Sequence, residues 1–342
     1  MRPKQIRLSD IAQKLNVSTV TVSKALRGHP DISPETTKII RKIADDLGYS
    51  PNLLARNLSS RRSNMIGVVI PKIAHHFFSS IIEHIYDFAF ENNYEIILTV
   101  SQENAERQMK HIQTLLSMRV DGMIISISQD TKDIEIFELI KSRGVPLVFI
   151  DRIPDLEGVN KVRIDDYSGA KMAIEHAIGL GYKNIANFTG SLDINISRER
   201  LRGYKDALLE HGININPEWV IIGDFSEKGG YDSLMKLYQK NSLPDLIFTV
   251  TYPVALGVYE AAKELGLRIP DDIDIICFGN SITQNFLSPP LSCVDQPTKE
   301  IADNSMQLLL ENIDNREEFE PKQVVIDTEL VLRSTCIKFN KG

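Results

Sequence analysis

The sequence LSDIAQKLNVSTVTVSKALRGHPDISPETTKIIRKIADDLGY, residues 8–49, decides the architecture of the N-terminal part of the chain. Ser9 can cap a first short helix, DIAQKL, and Ser18 can cap a second, TVTVSKAL. Ser33-Pro34-Glu35 is a strong start signal for a third helix, and Gly48 is typical of a residue that follows a helix end. Apolar residues recur at helical spacing in each segment, which predicts an all-α domain built on a helix-turn-helix.

The second of these helices presents a face that suits DNA. Short hydroxyl groups, one methyl-rich side chain and a cation can enter a major groove, read base edges and contact thymine methyl groups. The helix N-terminus and Lys24 suit phosphate. The candidate DNA contacts of this segment are Ser18, Thr19, Val20, Thr21, Ser23, Lys24 and Arg27. Three-helix units also occur as plain packing modules, and the helical pattern alone leaves that alternative open.

Charge is divided unevenly along the chain. Residues 1–62 carry twelve Lys and Arg against five Asp and Glu, a net charge of +7, whereas the rest of the chain carries 27 against 41, a net charge of −14. A basic segment on an acidic body indicates that the segment meets phosphate and the body does not. A merely solvated basic tail is the alternative, but this segment is patterned to fold.

Beyond residue 62, short apolar runs alternate with helical patterns. The first four runs are MIGVVIP (65–71), EIILTV (95–100), DGMIIS (121–126) and PLVFID (146–151), and the alternation restarts at VRID (162–165). Strands of this kind indicate parallel sheets that are covered by helices on both faces. Two successive halves predict an α/β body of two doubly wound lobes, with a cleft at the carboxyl ends of the strands.

Several classes of protein lack support in the sequence. It has no Walker motif, GxGxxG loop, nucleophile elbow or metal-ligand cluster, so we predict a protein that is not an enzyme and needs no cofactor or metal. Three widely spaced cysteines give no disulfide framework and favour a reducing cytoplasm. No run approaches the length of a membrane span, and the N-terminus is unlike a signal peptide, which argues against a periplasmic binding protein.

The run from Leu8 to Pro71 resembles the N-terminal signature of the LacI/GalR family of repressors almost position for position, and the likeness continues along the whole chain. The resemblance implies a helix-turn-helix domain joined to a two-lobed body like that of periplasmic sugar-binding proteins. It implies a homodimer that binds a near-palindromic double-stranded DNA operator. A small effector, a sugar or a sugar derivative, would bind between the lobes. The alternative is control by a protein co-regulator that binds the first lobe.

The same resemblance makes residues 51–62 a hinge helix and linker that folds on operator DNA. A helix of about two turns is too short to persist alone in water. In the family, a leucine at the position of Leu58 wedges into the minor groove and kinks the duplex, a use for an otherwise exposed apolar side chain. The implied DNA contacts of the hinge are Asn52, Ala55, Arg56 and Leu58. A structured linker whose leucine packs on the body is the alternative.

The resemblance also implies domain boundaries. The helix-turn-helix domain would comprise residues 1–50, and the effector-binding and dimerisation domain residues 63–342. The first lobe would hold about 63–161 and 292–320, and the second about 162–291 and 321–342. A helix from about Thr298 to Ile313 is assigned to the first lobe, and the strands in QVVIDTELVLR are assigned to the second.

Candidate effector-binding residues follow from the resemblance and from positions at strand ends. Arg200 matches the family pattern R-x-x-G-Y, whose arginine binds a ligand hydroxyl or carboxylate in the cleft. Asp151 ends a strand in FIDR, where it could accept sugar hydroxyls or instead join the lobes or cap a helix. Phe225 could stack on a sugar or pack in the core. His76 and Phe77 follow the first strand and should line the cleft.

The chain departs from the family pattern near two of these positions. His75-His76 replace a common Asn-Pro pair, but without a third ligand they make a weak metal site. Gly279 stands where the family has a ligand-binding aspartate, with Asn280 beside it as a further candidate. The pocket keeps its arginine and loses a carboxylate, so an acidic sugar or a sugar phosphate becomes a stronger candidate than a simple neutral sugar.

Overall fold

The computed structural model describes residues 6–26, 28–49, 62–315 and 320–337. The chain separates into two compact units, Met1–Ser63 and Asn64–Gly342. The predicted hinge helix lies outside the described residues, as do the candidate DNA contacts Arg27, Asn52, Ala55, Arg56 and Leu58. Within the described ranges, no helix is long and apolar enough to cross a membrane.

The N-terminal unit is the predicted three-helix domain. Its helices are α1 (Leu8–Leu15), α2 (Thr19–Leu26) and α3 (Pro34–Asp46). Their apolar faces meet in a small core formed by Ile11, Ala12, Val22, Ala25, Ile40 and Ala44, all of which are buried. The helix-turn-helix predicted from apolar spacing is confirmed.

The helix ends follow the predicted capping signals with one exception. The Ser18 hydroxyl accepts a hydrogen bond from the Thr21 N–H at 3.0 Å, and the Ser33 hydroxyl accepts one from the Thr36 N–H at 3.2 Å. Ser9 is not a cap, because α1 begins at Leu8 and Ser9 therefore lies inside the helix. The Asp10 carboxylate reaches back to accept the Arg7 N–H at 2.8 Å, which satisfies a free donor at this end.

The first lobe of the body is a six-stranded parallel sheet in the order β11-β5-β4-β3-β1-β2. Its strands are β1 (Met65–Ile70), β2 (Glu95–Val100), β3 (Gly122–Ile125), β4 (Leu147–Ile150), β5 (Asn160–Ile164) and β11 (Gln323–Ile326). Its helices are α4 (His76–Glu91), α5 (Ala105–Met118), α6 (Glu135–Ser142) and α11 (Thr298–Asp314). The strands β3 and β4 are buried at every position because helices cover both faces of the sheet.

The second lobe repeats this plan with the order β12-β10-β9-β8-β6-β7. Its strands are β6 (Ile185–Thr189), β7 (Val220–Ile222), β8 (Leu246–Thr249), β9 (Asp274–Phe278), β10 (Cys293–Asp295) and β12 (Glu329–Val331). Its helices are α7 (Asp166–Gly179), α8 (Asn195–Glu210), α9 (Glu227–Gln239) and α10 (Tyr252–Leu265), with short 3₁₀ helices at Pro217–Trp219 and Ile282–Phe286. Among the described strands, only β12 runs antiparallel to its neighbour. The predicted fold class, an all-α helix-turn-helix domain plus an α/β body with two sheets, is confirmed.

Strand pairing corrects the predicted lobe boundaries. β5 pairs with β4, and β11 pairs with β5, so both belong to the first lobe rather than the second. β10 pairs with β9 and belongs to the second lobe rather than the first. The predicted boundary at 161/162 falls within β5, and those at 291/292 and 320/321 precede β10 and β11, whereas the chain completes each strand before it crosses. The assignment of α11 to the first lobe is correct, since it packs on α4 and on β3, β4 and β5.

Candidate functional site

A cavity lies between the two lobes, where the carboxyl ends of their strands face each other. The six residues predicted from the sequence all line it: His76, Phe77, Asp151, Arg200, Phe225 and Asn280. His75 and Gly279, two of the departures from the family pattern, also line it. Sequence reasoning missed other lining residues: Phe78, Arg152, Ile196, Thr251, Tyr252, Pro253, Phe278 and Gln296. Most of these directly follow a strand or begin the next helix, a positional signal that could have identified them.

Arg200 is held firmly by the protein. Its side chain is 1% exposed, its Nε donates to Asp166 Oδ1 at 2.8 Å, and its Nη1 donates to the Val250 carbonyl at 2.5 Å. The guanidinium carbon lies 3.7 Å from the centroid of the Phe278 ring. Burial raises the pKa of Asp166, and the charge of Arg200 opposes that shift. The Nε and Nη1 donors of Arg200, which the sequence analysis assigns to a ligand, therefore make hydrogen bonds within the second lobe instead.

Asp151, the residue after β4, has an unusual backbone conformation. Its φ of +57° lies in the left-handed region, which non-glycine residues seldom adopt. Burial raises the pKa of its carboxyl to about 6, although Arg152 and Arg200 act in the opposite direction. Its Oδ2 lies 3.9 Å from Arg152 Nε. This position gives the cavity a carboxylate that is ionised at neutral pH and protonated in mild acid.

Arg152, which the sequence analysis overlooked, connects three parts of the site. Its Nη1 donates to both carboxylate oxygens of Glu103 at 2.8 Å. Its guanidinium carbon lies 4.2 Å from the centroid of the Phe225 ring, across the cleft. One face of Phe225 is therefore covered by a cation of the other lobe. The Nε of Arg152 is buried and donates no hydrogen bond within the described part of the chain.

A side-chain amide also bridges the lobes. Asn195, the first residue of α8, donates from Nδ2 to the Asp151 carbonyl at 3.0 Å and accepts the Ile153 N–H at Oδ1 at 2.9 Å. One amide thus satisfies a backbone acceptor and a backbone donor of the opposite lobe, as a paired strand would. This contact holds the backbone on both sides of Arg152.

The floor of the cleft includes the departure from the family pattern at Gly279. Its φ is +97°, a conformation that favours glycine, and a Cβ there would lie 3.0 Å from Gln296 Oε1. Asn280 beside it accepts a hydrogen bond at Oδ1 from Arg333 Nη2 at 2.9 Å. Burial lowers the pKa of His75, which favours a neutral ring. Among the residues that the structure describes, no cluster of His, Cys, Asp or Glu could hold a metal ion.

The candidate DNA-reading residues lie on α2 and just before it. Ser18, Thr19 and Val20 are exposed, with Val20 62% exposed. Thr21, Ser23 and Lys24 are half-buried. The amine of Lys24 lies 2.6 Å from an Asp31 carboxylate oxygen, and this hydrogen bond is the main cause of the lowered pKa of Asp31.

Comparison with known proteins identifies both units. Residues 7–52 match the model of bacterial regulatory proteins of the lacI family, and residues 174–336 match a periplasmic binding protein-like domain. Catabolite control protein A of Priestia megaterium is 33% identical over 305 residues, covering 89% of this chain and 91% of that protein. HTH-type transcriptional repressor PurR of Pasteurella multocida is 30% identical over 328 residues, covering 96% of this chain and 98% of that protein.

The structural likeness extends over almost the whole molecule. The lac repressor dimer bound to operator and the anti-inducer ONPF is similar, with a TM-score of 0.85 and 25% sequence identity. The match covers 97% of this chain and 99% of the lac repressor chain. The two domain matches, the full-length relatives and this structural likeness agree: the chain belongs to the lacI family of bacterial regulatory proteins and is a DNA-binding transcriptional repressor rather than an enzyme.

Proposed function

We propose that this chain is a homodimeric repressor whose affinity for a near-palindromic operator changes when a small molecule binds between the lobes of its body. The observation that carries the proposal is the cleft, where Asp151 and Arg152 of one lobe face Arg200 of the other. A ligand that contacts both lobes favours one inter-lobe angle, and such differential binding couples two distant sites. The similar lac repressor structure contains a dimer, an operator and a small molecule.

The DNA-binding part of the proposal rests on α2. One such helix contacts few base pairs, so a two-fold dimer that reads two half-sites supplies the specificity. The proposed contacts in the major groove are Ser18, Thr19, Val20, Thr21, Ser23, Lys24 and Arg27. The proposed contacts of the hinge are Asn52, Ala55, Arg56 and Leu58, with the leucine as the minor-groove wedge. A repressor acts where the chromosome lies, so we propose the bacterial cytoplasm as its location.

The charges around the cavity favour a neutral, hydroxyl-rich effector. Arg152 is compensated by Glu103 and Arg200 by Asp166, at hydrogen-bonding distance in each case. Among the described charged groups of the cavity, Asp151 is then the one that makes no hydrogen bond to a cation, and its carboxylate would repel an anion at neutral pH. This balance weighs against the acidic sugar or sugar phosphate that the loss of the family aspartate suggested. A sugar hydroxyl can instead donate to Asp151 and accept from Arg152 Nε.

The proposed effector contacts are the six residues predicted from the sequence, together with Arg152. A thermal-shift screen of the whole chain should therefore include neutral sugars, sugar acids and sugar phosphates. We expect the neutral compounds to stabilise the body, because a ligand that binds only the folded state raises its apparent stability. A stabilising compound is then titrated into an operator-binding assay. If nothing in the screen stabilises the body, control by a protein co-regulator becomes the better proposal.

A matched pair of asparagines tests whether the cleft is the site. Asn280 and Asn285 both accept hydrogen bonds from Arg333, at 2.9 Å and 2.7 Å, but only Asn280 lines the cavity. Asn280→Ala should weaken the response to the effector about tenfold, the cost of a hydrogen bond of about 1.4 kcal/mol, and leave ligand-free operator binding unchanged. Asn285→Ala should respond as wild type does. Equal losses in both variants would contradict the assignment and indicate an indirect effect through Arg333.

A further inference from the structure

Two cysteines lie side by side behind the floor of the cleft. Cys277 on β9 and Cys293 on β10 are register partners in a parallel strand pair, and both are fully buried. Register partners on neighbouring strands project from the same face and lie about 4.8 Å apart at their Cα atoms. That separation falls within the range of about 4.4–6.8 Å found in disulfides. The two thiols can therefore form a disulfide without any change in the pairing of β9 and β10.

Hydrogen bonds around the pair distinguish the two thiols. Arg333 Nη1 lies 3.4 Å from Cys293 Sγ as a donor, and Gln284 Nε2 lies 3.4 Å from Cys277 Sγ. The neighbouring Cys277 thiol, together with Arg333, lowers the pKa of Cys293. Burial raises the pKa of Cys277. Cys293 is therefore the thiol better suited to ionise and attack, and Cys277 the one suited to resolve.

We propose that Cys277 and Cys293 are a site of reversible oxidation, which a hydroperoxide converts to an intramolecular disulfide. The Cys293 thiolate attacks the outer peroxide oxygen, the O–O bond breaks, and the leaving alkoxide or hydroxide takes up a proton to give an alcohol or water. The resulting sulfenic acid is attacked by Cys277 sulfur, which forms the S–S bond and expels water. The sum is two thiols and one hydroperoxide giving one disulfide, one alcohol or water, and one further water.

The bond would change the floor of the cleft through Arg333 and Gly279. Cys277 donates its thiol hydrogen to the Gly279 carbonyl at 3.4 Å, and a disulfide has no such hydrogen. Arg333 contacts Cys293 Sγ through Nη1 and orients Asn280 through Nη2 at 2.9 Å. Disulfide formation thus removes the thiol hydrogen that Cys277 donates to the Gly279 carbonyl. It also moves Cys293 Sγ, which accepts a hydrogen bond from Arg333, the residue that holds Asn280. Oxidation should therefore change how the cleft binds its effector. This consequence rests on the proposed function, whereas the formation of the disulfide itself does not.

Mass spectrometry of the full chain after treatment with hydrogen peroxide tests the proposal. The folded protein should lose two hydrogen atoms in mass, the loss should reverse with dithiothreitol, and peptide mapping should link Cys277 to Cys293. Cys336 is equally buried, which makes it the matched control, and Cys336→Ser should form the bond as wild type does. Oxidation should be slow because neither thiol of the pair is exposed, so the reaction is followed over hours.

Single variants separate the two roles. Cys277→Ser should stop at a sulfenic acid on Cys293 that dimedone traps, whereas Cys293→Ser should give no dimedone adduct at position 277. Circular dichroism and a thermal melt establish that each variant is folded. The proposal is overturned if folded wild-type protein forms no 277–293 link, if the linked peptides come from two chains, or if Cys336 is trapped as readily as Cys293.

Discussion

Arg200 and Asp166 form an ion pair within the second lobe, with both side chains about 1% exposed and 2.7 Å between Nη2 and Oδ1. Removing two charges from water is costly, and their attraction offsets that cost only while both are present. The pattern R-x-x-G-Y identified Arg200 but not its partner, which lies 34 residues earlier on another helix. Replacing Arg200 by alanine would leave the Asp166 carboxylate buried without its cation and so destabilise the fold. Asn280 is therefore the better position for testing ligand contact.

Asp166→Asn should lower the free energy of unfolding by about 3–5 kcal/mol, because it leaves the Arg200 charge buried beside a neutral amide. Urea denaturation followed by circular dichroism measures the change. Asp303→Asn is the matched control, since Asp303 pairs with Lys299 on an exposed helix face. An exposed pair of this kind contributes about 0.5 kcal/mol or less. Similar losses in the two variants would show that the buried ion pair contributes no more to the free energy of unfolding than the exposed pair does.

Asp151 should make stability depend on pH. Its pKa is about 6 in the folded chain, against about 3.9 for an unperturbed Asp, so folding favours the protonated form. The stability that this group contributes is complete below about pH 4 and is lost as pH rises through about 6. Asp151→Asn cannot ionise, so it should gain up to about 3 kcal/mol relative to wild type between pH 4 and 7. Urea denaturation at several pH values measures this, and a difference that is independent of pH would contradict it.

At the scale of elements, α9 and α10 pack unusually closely. A Cβ on Gly257 would lie 1.8 Å from the Glu227 carbonyl oxygen, and one on Gly230 would lie 2.0 Å from the Val254 carbonyl oxygen. Real Cβ atoms do not approach backbone this closely, and the backbone of a helix cannot turn aside as a flexible side chain can. The two glycines therefore set the distance between helices that cover one face of the second sheet.

Gly257→Ala should destabilise the body by about 3 kcal/mol or more, because the helices must part to admit the methyl group. Gly179→Ala is the control, since the new methyl group at the end of α7 would meet nothing within 4 Å. The control should be neutral or gain up to about 1 kcal/mol from helix propensity. Thermal melts of both variants provide the measurement. Equal melting temperatures would show that the α9–α10 contact is looser than the structure has it.

Local signals in the sequence were sufficient for the elements but not for their partners. Capping by Ser18 and Ser33 was predictable because the cap and its donor lie three residues apart. The placement of β5 was wrong because the apolar pattern of a strand does not reveal which sheet it joins. Arg152 was missed for the same reason: its partners Glu103 and Phe225 are distant in sequence and on different lobes. Long-range pairing is what the sequence pattern leaves undetermined.

At the scale of the molecule, the basic residues 1–62 and the acidic remainder predict how operator binding responds to salt. Neutralised phosphates release counterions, so log affinity should fall steeply and linearly with log salt concentration. Residues 63–342 alone should not bind, because the net charge of the remainder of the chain is −14. Gel-shift or fluorescence-anisotropy titrations at several salt concentrations measure both effects. Operator binding by the isolated body, or an affinity that is indifferent to salt, would contradict the assignment of DNA binding to α2.

The strand order has a consequence for the synthesis of the protein. β11 is an edge strand of the first sheet, β12 is an edge strand of the second, and they are separated by two residues late in the chain. Neither lobe is complete while the ribosome is still translating residue 320, although most of the first lobe has emerged long before. The two lobes therefore finish folding almost together. A nascent chain that is released before residue 323 would lack an edge strand of both sheets, and a single late nonsense mutation would damage both walls of the cleft at once.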